Sequence, residues 1–287
     1  MGGNPLIANA LPRILGSIDR VLLALAATSV AFVVAFFTVP RILTSASAGR
    51  TFDSEDGLST KARDVFVDYW ASGDPGFPSE LQTLSEYWVR YHVVKAVVAA
   101  LVLASAVAFG WLLARRYIAS TDLGRGRRLA FAGTGVVASF LAVFSVAAIV
   151  ANIQGAVVPF SSLLSLLPVG APDGQLAATM KEIELRLADG RWTPLLESMI
   201  RDFGDYHSAM AVTASCAAVV IVGSSALTWT RFARTAASEH QTRRVLGWVG
   251  VVTTVVSLAL VMIVVANAGT AADPAPALAT FFGGGVL

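Results

Sequence analysis

The sequence has few of the residues that build most metal and catalytic sites. Its 287 residues include one cysteine and three histidines, and only 14% are charged. The single cysteine, Cys216, excludes a disulfide within this chain and a zinc or iron–sulfur site built from several cysteines. Phosphate-binding glycine loops, His-Glu-x-x-His and Gly-x-Ser-x-Gly are also absent. No motif therefore indicates ATP use or hydrolase chemistry.

Apolar residues dominate instead. They make up 55% of the chain, and the mean hydropathy is +0.68, whereas a soluble domain carries about 25% charged residues. A globule of this size cannot bury so much apolar surface, so we expect an integral membrane protein in contact with membrane lipids. The high content of Ala, Val, Gly and Arg is typical of a bacterium with a GC-rich genome.

Five apolar runs have about the length needed to cross ~30 Å of hydrocarbon. They lie at 21–39, 93–113, 129–151, 209–229 and 245–266. The first run could be a signal peptide cleaved near 46–48, but it exceeds the roughly 7–15 apolar residues of a signal peptide. We therefore predict an all-α integral membrane protein with five transmembrane helices and short amphipathic helices in its outer loops.

The sequence of residues 91–152 recurs at 206–267, 115 positions later and without a gap. Matches between apolar residues are expected from composition alone. Matches between rare polar residues at one constant offset are not expected by chance. This pattern indicates an internal duplication, in which one helix is followed by two parallel two-helix repeats. The matched positions are Tyr91 with Tyr206, His92 with His207, Arg116 with Arg231, Arg128 with Arg243, Asn152 with Asn267 and Pro159 with Pro274.

Charge asymmetry predicts the orientation. Nine arginines lie in the turns 115–128 and 231–244, whereas the loops 40–90 and 153–205 carry nine basic and fifteen acidic residues. Short basic loops stay in the cytoplasm, so we expect a cytoplasmic N-terminus and an outer C-terminus in a bacterial plasma membrane. The arginines are then topology signals, and no nucleic-acid partner is expected. The predicted order is a head (1–20), helix 1 (21–39), an outer loop (40–90), repeat 1 (91–152), an outer loop (153–205), repeat 2 (206–267) and a mobile outer tail (268–287).

The outer loops carry helix patterns of their own. Helices are predicted to start at Ser79 and Pro194 and to continue into spans, and 176–187 has the apolar spacing of an amphipathic helix. The segments 59–72 and 160–168 are expected to lie along the membrane surface, or in the second case to dip into it. Three tryptophans are assigned to an interfacial belt: Trp70, Trp88 and Trp192.

The candidate site residues lie at the outer ends of the spans. They are Tyr91, His92, Lys95, Asn152 and Gln154 in repeat 1, with Tyr206, His207 and Asn267 in repeat 2. The tyrosine–histidine pairs are the catalytic candidates, and the others are ligand-binding candidates around an apolar cavity. The lysine could snorkel to the interface or pair with an anionic substrate.

Three interpretations of the two histidines stay open. Each ring could hold two helices together by a hydrogen bond. It could act as an acid, a base or a hydrogen-bond donor towards a lipid-like substrate. One imidazole from each repeat could ligate a metal or haem. No metal site is expected. The absence of a cofactor is the favoured expectation, and the sequence does not identify one if it is present.

The segment Trp88–Lys95 (Trp-Val-Arg-Tyr-His-Val-Val-Lys) resembles the aromatic, polar and basic helix start of small bacterial membrane proteins of the anthrone-oxygenase-like family. The helix end Val150–Gln154 and the proline at Val39-Pro40-Arg41 are similar to that family too. The resemblance covers about 25–215 and implies an oxygenase-like membrane fold that is cofactor-free or poorly characterised. The second copy, Phe203–His207, departs from the pattern because it lacks the tryptophan and the basic residue. A fifth span and long outer loops also depart from it.

The leading hypothesis is a membrane protein with an outward-facing, polar-rimmed pocket for an apolar or lipid-like small molecule, with oxidoreductase-like activity as an extension. The alternative is a non-catalytic subunit or scaffold in a homo-oligomer or larger membrane complex, since small residues in the spans allow close helix packing. A transporter is third, because the centre of every span lacks Asp, Glu, Arg and His.

Overall fold

The computed structural model describes residues 5–48, 55–120, 124–168 and 174–284, with side chains from 19 to 44 and from 57 onward in those ranges. These residues form α-helices and one 3-10 turn (Leu164–Leu166), with no strand among them. The helices are α1 (Pro5–Ala48), α2 (Glu55–Ser72), α3 (Ser79–Ala119), α4 (Arg125–Val157), α5 (Pro159–Leu163), α6 (Gly174–Ala188), α7 (Pro194–Arg234), α8 (His240–Ala272) and α9 (Pro274–Phe282).

Five helices are long and apolar enough to cross a membrane: α1 through its segment Asp19–Thr44, α3, α4, α7 and α8. The all-α, multi-pass membrane class predicted from composition is therefore confirmed. The helices α3 and α7 each have 41 residues, which corresponds to about 60 Å. This is about twice the thickness of the hydrocarbon core, so the predicted spans 93–113 and 209–229 occupy only part of each helix.

Prolines and caps set where the helices begin. The Thr193 hydroxyl accepts a hydrogen bond from the Leu196 N–H at 3.3 Å, and Pro194 follows it at the first helical position of α7, as predicted. Pro159 and Pro274 begin α5 and α9 in the same way. The residues before them leave helical geometry, with φ −127° and −141° and ψ 76° and 81°, because proline disfavours the helical conformation in the preceding residue. The chain therefore turns after α4 and after α8.

The element boundaries follow the 115-residue register. The helices α7 and α8 begin and end 115 positions after α3 and α4, and α9 begins 115 positions after α5. Hydrogen bonds in the turns match as well. The Ser120 N–H donates to the Tyr117 carbonyl at 3.2 Å, and the Thr235 N–H donates to the Phe232 carbonyl at 3.3 Å.

The described residues divide into two compact units. The first unit takes its residues from Met1–Phe37, Val97–Ile149 and Val219–Leu258, and the second from Thr38–Ala96, Val150–Ala218 and Ala259–Leu287. The described residues of the first unit form helical segments and the turns between them, and many of their apolar side chains are exposed, as at Val219 (74%). Such a surface is covered in a bilayer.

Small polar side chains link the helices of the first unit. The Ser29 hydroxyl of α1 donates to Ser105 of α3 at 3.0 Å, and the Trp248 indole of α8 donates to Ser139 of α4 at 3.0 Å. Interhelical hydrogen bonds of this type are common between transmembrane helices.

The second unit has a hydrophobic core of the kind found in soluble helical proteins. The apolar residues of α6 at 176, 180, 183 and 187 are buried in it, together with side chains of α2, α5, α9 and the first halves of α3 and α7. Tyr69, Leu84 and Leu196 are among its fully buried members. This core therefore fixes the first halves of α3 and α7 relative to α2, α6 and α9.

Three expectations for this region were wrong. Segment 59–72 belongs to α2, whose Val65 and Phe66 are buried in the protein core rather than placed on a membrane surface. Segment 160–168 contributes α5 and the 3-10 turn to the same core. Trp88 is 7% exposed inside it. The reason is physical: an apolar helix face has the same sequence pattern whether lipid or protein covers it.

The tail at 268–287 was expected to be mobile. Its first residues complete α8, and 274–282 form α9, which buries Leu278 and Phe282. The Phe282 ring stacks on Phe66 with the centroids 5.9 Å apart. The expectation was therefore wrong for 274–282, while 285–287 lie outside the described residues.

Candidate functional site

Each candidate histidine is hydrogen-bonded to the asparagine 60 residues further along the chain. His92 Nδ1 lies 2.8 Å from Asn152 Oδ1, and His207 Nδ1 lies 2.8 Å from Asn267 Oδ1. The first pair joins α3 to α4, and the second joins α7 to α8. Because the amide oxygen accepts, the ring nitrogen Nδ1 carries the proton, and in a neutral ring Nε2 is then an acceptor.

The His92 ring is enclosed by residues that lie just before and just after repeat 1 in the chain. The Trp88 ring meets it edge-on with centroids 4.7 Å apart. On the α4 side stands Gly155, where an added Cβ would lie 2.8 Å from two ring atoms of His92. A side chain at this position would therefore press on the imidazole where it now lies.

The second ring nitrogen of His92 belongs to a short hydrogen-bonded series. The Trp88 indole N–H donates to the Ser162 hydroxyl at 2.9 Å, and that hydroxyl lies 3.5 Å from His92 Nε2. With Nδ1 bound to Asn152, both ring nitrogens of His92 have polar neighbours from the protein itself. This geometry fits the interpretation in which the histidine holds helices together.

The His207 ring also has an asparagine on Nδ1 and an adjacent tyrosine, but it lacks this hydrogen-bonded series. Phe203 meets the ring edge-on at 4.7 Å, in the place that Trp88 occupies in repeat 1. The residue 115 positions after Ser162 is Ala277. His207 Nε2 is buried and has no hydrogen-bond partner among the described residues.

The second asparagine is fixed by its own helix. The Asn267 amide group donates from Nδ2 to the Ile263 carbonyl at 2.8 Å, which directs Oδ1 towards His207. The tautomer of His207 is therefore set from α8, and its acceptor nitrogen is the buried Nε2.

The remaining candidates are placed around these pairs. Tyr91 stacks on Trp88 with centroids 5.3 Å apart and 9° between the ring planes, and the Lys95 ammonium lies 5.2 Å from the Tyr91 ring centroid. Tyr206 meets His207 edge-on at 5.6 Å. The structure thus groups each tyrosine with its own histidine.

Gln154 connects the two sets. Its side-chain amide donates to the Tyr206 backbone carbonyl at 3.0 Å, and the side chain is 3% exposed. The predicted ligand-binding residue Gln154 therefore joins the end of α4 to α7 beside the second histidine. Two residues earlier in α4, Asn152 is hydrogen-bonded to the first histidine, His92.

Sequence reasoning missed Gly155 and Ser162 as site residues, and it did not assign Trp88 or Phe203 to the histidines. Helical spacing was one available signal, because Trp88 and Phe203 each lie four residues before a histidine. The 115-residue offset was a second signal. It places the serine at 162 and the alanine at 277 in equivalent positions, and so marks a difference between the surroundings of the two histidines.

The haem or metal interpretation requires a free nitrogen from each imidazole. The nitrogen Nδ1 of each ring is held by an asparagine, and His92 Nε2 faces the Ser162 hydroxyl. Within the described part of the chain, no three His, Cys, Asp or Glu side chains are grouped so that they could hold one metal ion.

Comparison of the sequence with models of protein families gives no match, and comparisons with curated proteins and with solved structures give none either. The resemblance to the anthrone-oxygenase-like family thus rests on the residues quoted above and stays a prediction.

Proposed function

We propose that this chain is a multi-pass protein of the bacterial plasma membrane that binds a lipid-like molecule through His207. The observation that carries the proposal is the buried Nε2 atom of His207, which has no partner among the described residues. A buried polar group without a partner costs roughly 1–3 kcal/mol. A ligand that donates a hydrogen bond to this nitrogen would recover that cost.

The surroundings of His207 define the ligand's chemistry. The ring lies against Phe203, and further along the same helix Val212 is 62% exposed. A ligand that reaches the histidine from the bilayer therefore needs an apolar body and one hydroxyl group. Because Nδ1 is held by Asn267, the neutral ring accepts at Nε2 and favours a hydroxyl over a carboxylate.

An oxidoreductase-like activity would extend this proposal. A neutral imidazole can accept the proton of a bound hydroxyl, which is one of the three interpretations that the sequence left open for the histidines. The geometry supports the binding step. The resemblance to oxygenase-like proteins is the support for the chemistry.

The test is photo-crosslinking in lipid nanodiscs with a long-chain alcohol that carries a diazirine and an alkyne. The His207→Phe protein is expected to lose at least two thirds of the saturable labelling. The matched His92→Phe protein is expected to retain it, because His92 Nε2 already has Ser162 as a neighbour. Size-exclusion profiles and circular dichroism check that both variants are folded. Labelling that is equal in His207→Phe and the parent protein would refute the proposal.

The shared register supports an internal duplication as part of this proposal. Three helix starts and two helix ends recur at 115 residues, and the histidine–asparagine distance is 2.8 Å in both copies. Equal geometry from equally spaced residues is the expectation for two copies of one ancestral helix pair. The orientation proposed above, with both arginine-rich turns in the cytoplasm, gives the copies the same direction.

A second candidate function is that of a subunit in a larger membrane assembly. Gly133, Gly135 and Gly223 have no atom within 4 Å of the position of an added Cβ, so these small residues are not used in packing within the described chain. Glycine on a membrane helix lets a second helix approach closely. Extraction into nanodiscs directly from native membranes, followed by mass measurement, tests this function. A particle that contains only one or two copies of this chain would oppose it.

A further inference from the structure

A groove opens in the second unit between α2, α6 and the first turn of α7. Its volume is about 420 Å³, within the range of roughly 300–1,000 Å³ that is typical of small-molecule sites. Val67 and Leu195 contribute apolar surface, and both are buried, at 6% and 2% exposure. We refer to it as the α2–α6 groove.

Three side chains form a fixed polar group in the α2–α6 groove. The Trp70 indole N–H donates to Glu182 Oε2 at 3.0 Å. Arg186 donates to Glu182 Oε1 from Nε and Nη2, at 3.0 and 2.8 Å. The guanidinium carbon also lies 5.7 Å from the Trp70 ring centroid. The Glu182 and Arg186 side chains remain 47% and 42% exposed, so a ligand can reach them.

The charges in the groove balance. Glu182 and Arg186 are the charged side chains that line it, and they neutralise each other. The hydrogen bonds from Trp70 and Arg186 lower the pKa of Glu182, which keeps the carboxylate ionised and the pair intact at neutral pH. The groove therefore offers strong donors and acceptors without a net charge.

Thr179 adds a hydroxyl to the wall of the groove. The residue lines the groove and is 6% exposed, and its hydroxyl is not one of the fully buried polar atoms that lack a partner. The hydroxyl is therefore accessible from the groove, where it can donate a hydrogen bond to a bound molecule or accept one from it.

We propose that the α2–α6 groove binds a neutral polyhydroxyl ligand, a sugar of one or two rings. Sugar hydroxyls both donate and accept, so they match the carboxylate, the guanidinium and the Thr179 hydroxyl at once. The Trp70 indole provides a flat apolar surface for the C–H face of the ring. An ionic ligand gains little, because the groove has no net charge to pair with it.

The groove shares no residue with the proposed lipid-like ligand site at His207. Sugar binding in the groove and alcohol binding at His207 can therefore be tested independently, and one proposal can fail while the other holds.

The test uses the full chain in nanodiscs of phosphatidylcholine and phosphatidylglycerol, since maltoside detergents carry sugar headgroups that would compete. Isothermal titration with glucose, N-acetylglucosamine, maltose and trehalose measures binding. We expect saturable binding of at least one of these sugars. Glucuronate and glucosamine, the charged relatives, are expected to bind no more tightly than the neutral rings.

The variants identify the groove as the site. Thr179→Val keeps the side-chain shape and is expected to weaken binding about two- to tenfold, the effect of one hydrogen bond. Trp70→Ala is expected to weaken it more than tenfold. The matched controls Thr83→Val and Trp111→Ala change exposed residues outside the groove and are expected to leave affinity unchanged. If Trp70→Ala does not fold, Thr179→Val still decides.

The proposal is overturned if none of the four neutral sugars binds saturably, or if the sugar that binds has the same affinity for the parent protein and for Thr179→Val. Preferential binding of glucuronate or glucosamine would also overturn it, because it would show a charged site.

Discussion

Replacing Gly155 by alanine tests the packing around His92. The added Cβ would lie 2.8 Å from two ring atoms and 2.9 Å from a third. Moving the ring away would cost free energy because of two contacts. Asn152 Oδ1 lies 2.8 Å from Nδ1, and the centroid of the Trp88 ring lies 4.7 Å from that of the imidazole. Overpacking of this kind costs about 1–3 kcal/mol. Loss of the Asn152 hydrogen bond would add roughly 0.5–1.5 kcal/mol.

Helix propensity opposes this cost. Alanine in place of glycine stabilises a helix by up to about 1 kcal/mol, and Gly155 lies near the C-terminal end of α4. We therefore expect a net destabilisation of about 1–3 kcal/mol. In a His92→Ala background the clash is gone, so Gly155→Ala should become neutral or stabilising. This reversal of sign is the specific signature of the ring contact.

The matched control is Gly269→Ala. Gly269 is a helical glycine near the end of α8, and no atom lies within 4 Å of its added Cβ. It receives the same helix-propensity gain without a clash. The free energy of unfolding is measured by SDS titration in mixed micelles, followed by circular dichroism. The reasoning is refuted if Gly155→Ala is tolerated as well as Gly269→Ala, or if its cost persists unchanged in the His92→Ala background.

Three further measurements address other parts of the molecule. Ala277→Ser should give the buried His207 Nε2 a hydroxyl partner and raise stability by about 0.5–1.5 kcal/mol, measured by the same titration. Burial raises the pKa of Tyr69 to about 12, so its phenol favours the folded state below pH ~10 and that advantage is lost as the pH rises towards 12. Unfolding measured across this window should lose less stability in Tyr69→Phe than in the parent protein, and equal losses would contradict the assignment. The pKa of Glu182 is lowered first by its bond from Trp70, so this bond is present at neutral pH and lost only as the pH falls below the usual glutamate value of ~4.3. The difference in fluorescence between the parent protein and Trp70→Phe should follow that transition, and a midpoint above pH ~5 would refute it.

Several features could be predicted because they depend on composition or on rare letters. The five spans follow from apolar runs whose length is fixed by the bilayer. The register follows from polar residues such as His92 and His207 that recur among apolar letters. The same register places an asparagine 60 residues after each histidine, and the structure shows that the two side chains of each pair are hydrogen-bonded at 2.8 Å.

Other features depend on what covers an apolar surface, which a sequence does not specify. The helix α2 carries valines and aromatics that suit a membrane surface or a protein core equally well. The structure buries them against α6 and α9. The Ser162–His92 contact was missed for a related reason. It joins residues 70 positions apart and depends on the turn of the chain after α4. A local sequence pattern does not predict a contact of this kind.

The α2–α6 groove was also beyond sequence reasoning. Its parts come from three helices, and Trp70 meets Glu182 across 112 positions of the chain. The Glu182–Arg186 pair by itself is an ordinary exposed pair of an α-helix, four residues apart. Only the position of the indole against that pair, and of the Thr179 hydroxyl beside it, makes the set a candidate site.

The differences between the two repeats are themselves an argument about function. Repeat 1 has Trp88 and Ser162 beside its histidine, and the equivalent positions in repeat 2 hold Phe203 and Ala277. These two differences belong together, since alanine alone at the serine position would leave a buried indole N–H without its acceptor. The histidine and its asparagine are nevertheless present in both repeats with the same 2.8 Å bond.

If that bond were the whole role of His207, repeat 2 would gain stability from the tryptophan and serine of repeat 1. The double variant Phe203→Trp/Ala277→Ser builds that arrangement around His207. We expect it to unfold at a higher SDS fraction than the parent protein and to lose the alcohol labelling, because the new hydroxyl occupies Nε2. A variant that gains stability and keeps its labelling would show that the unpartnered nitrogen is not the ligand's contact.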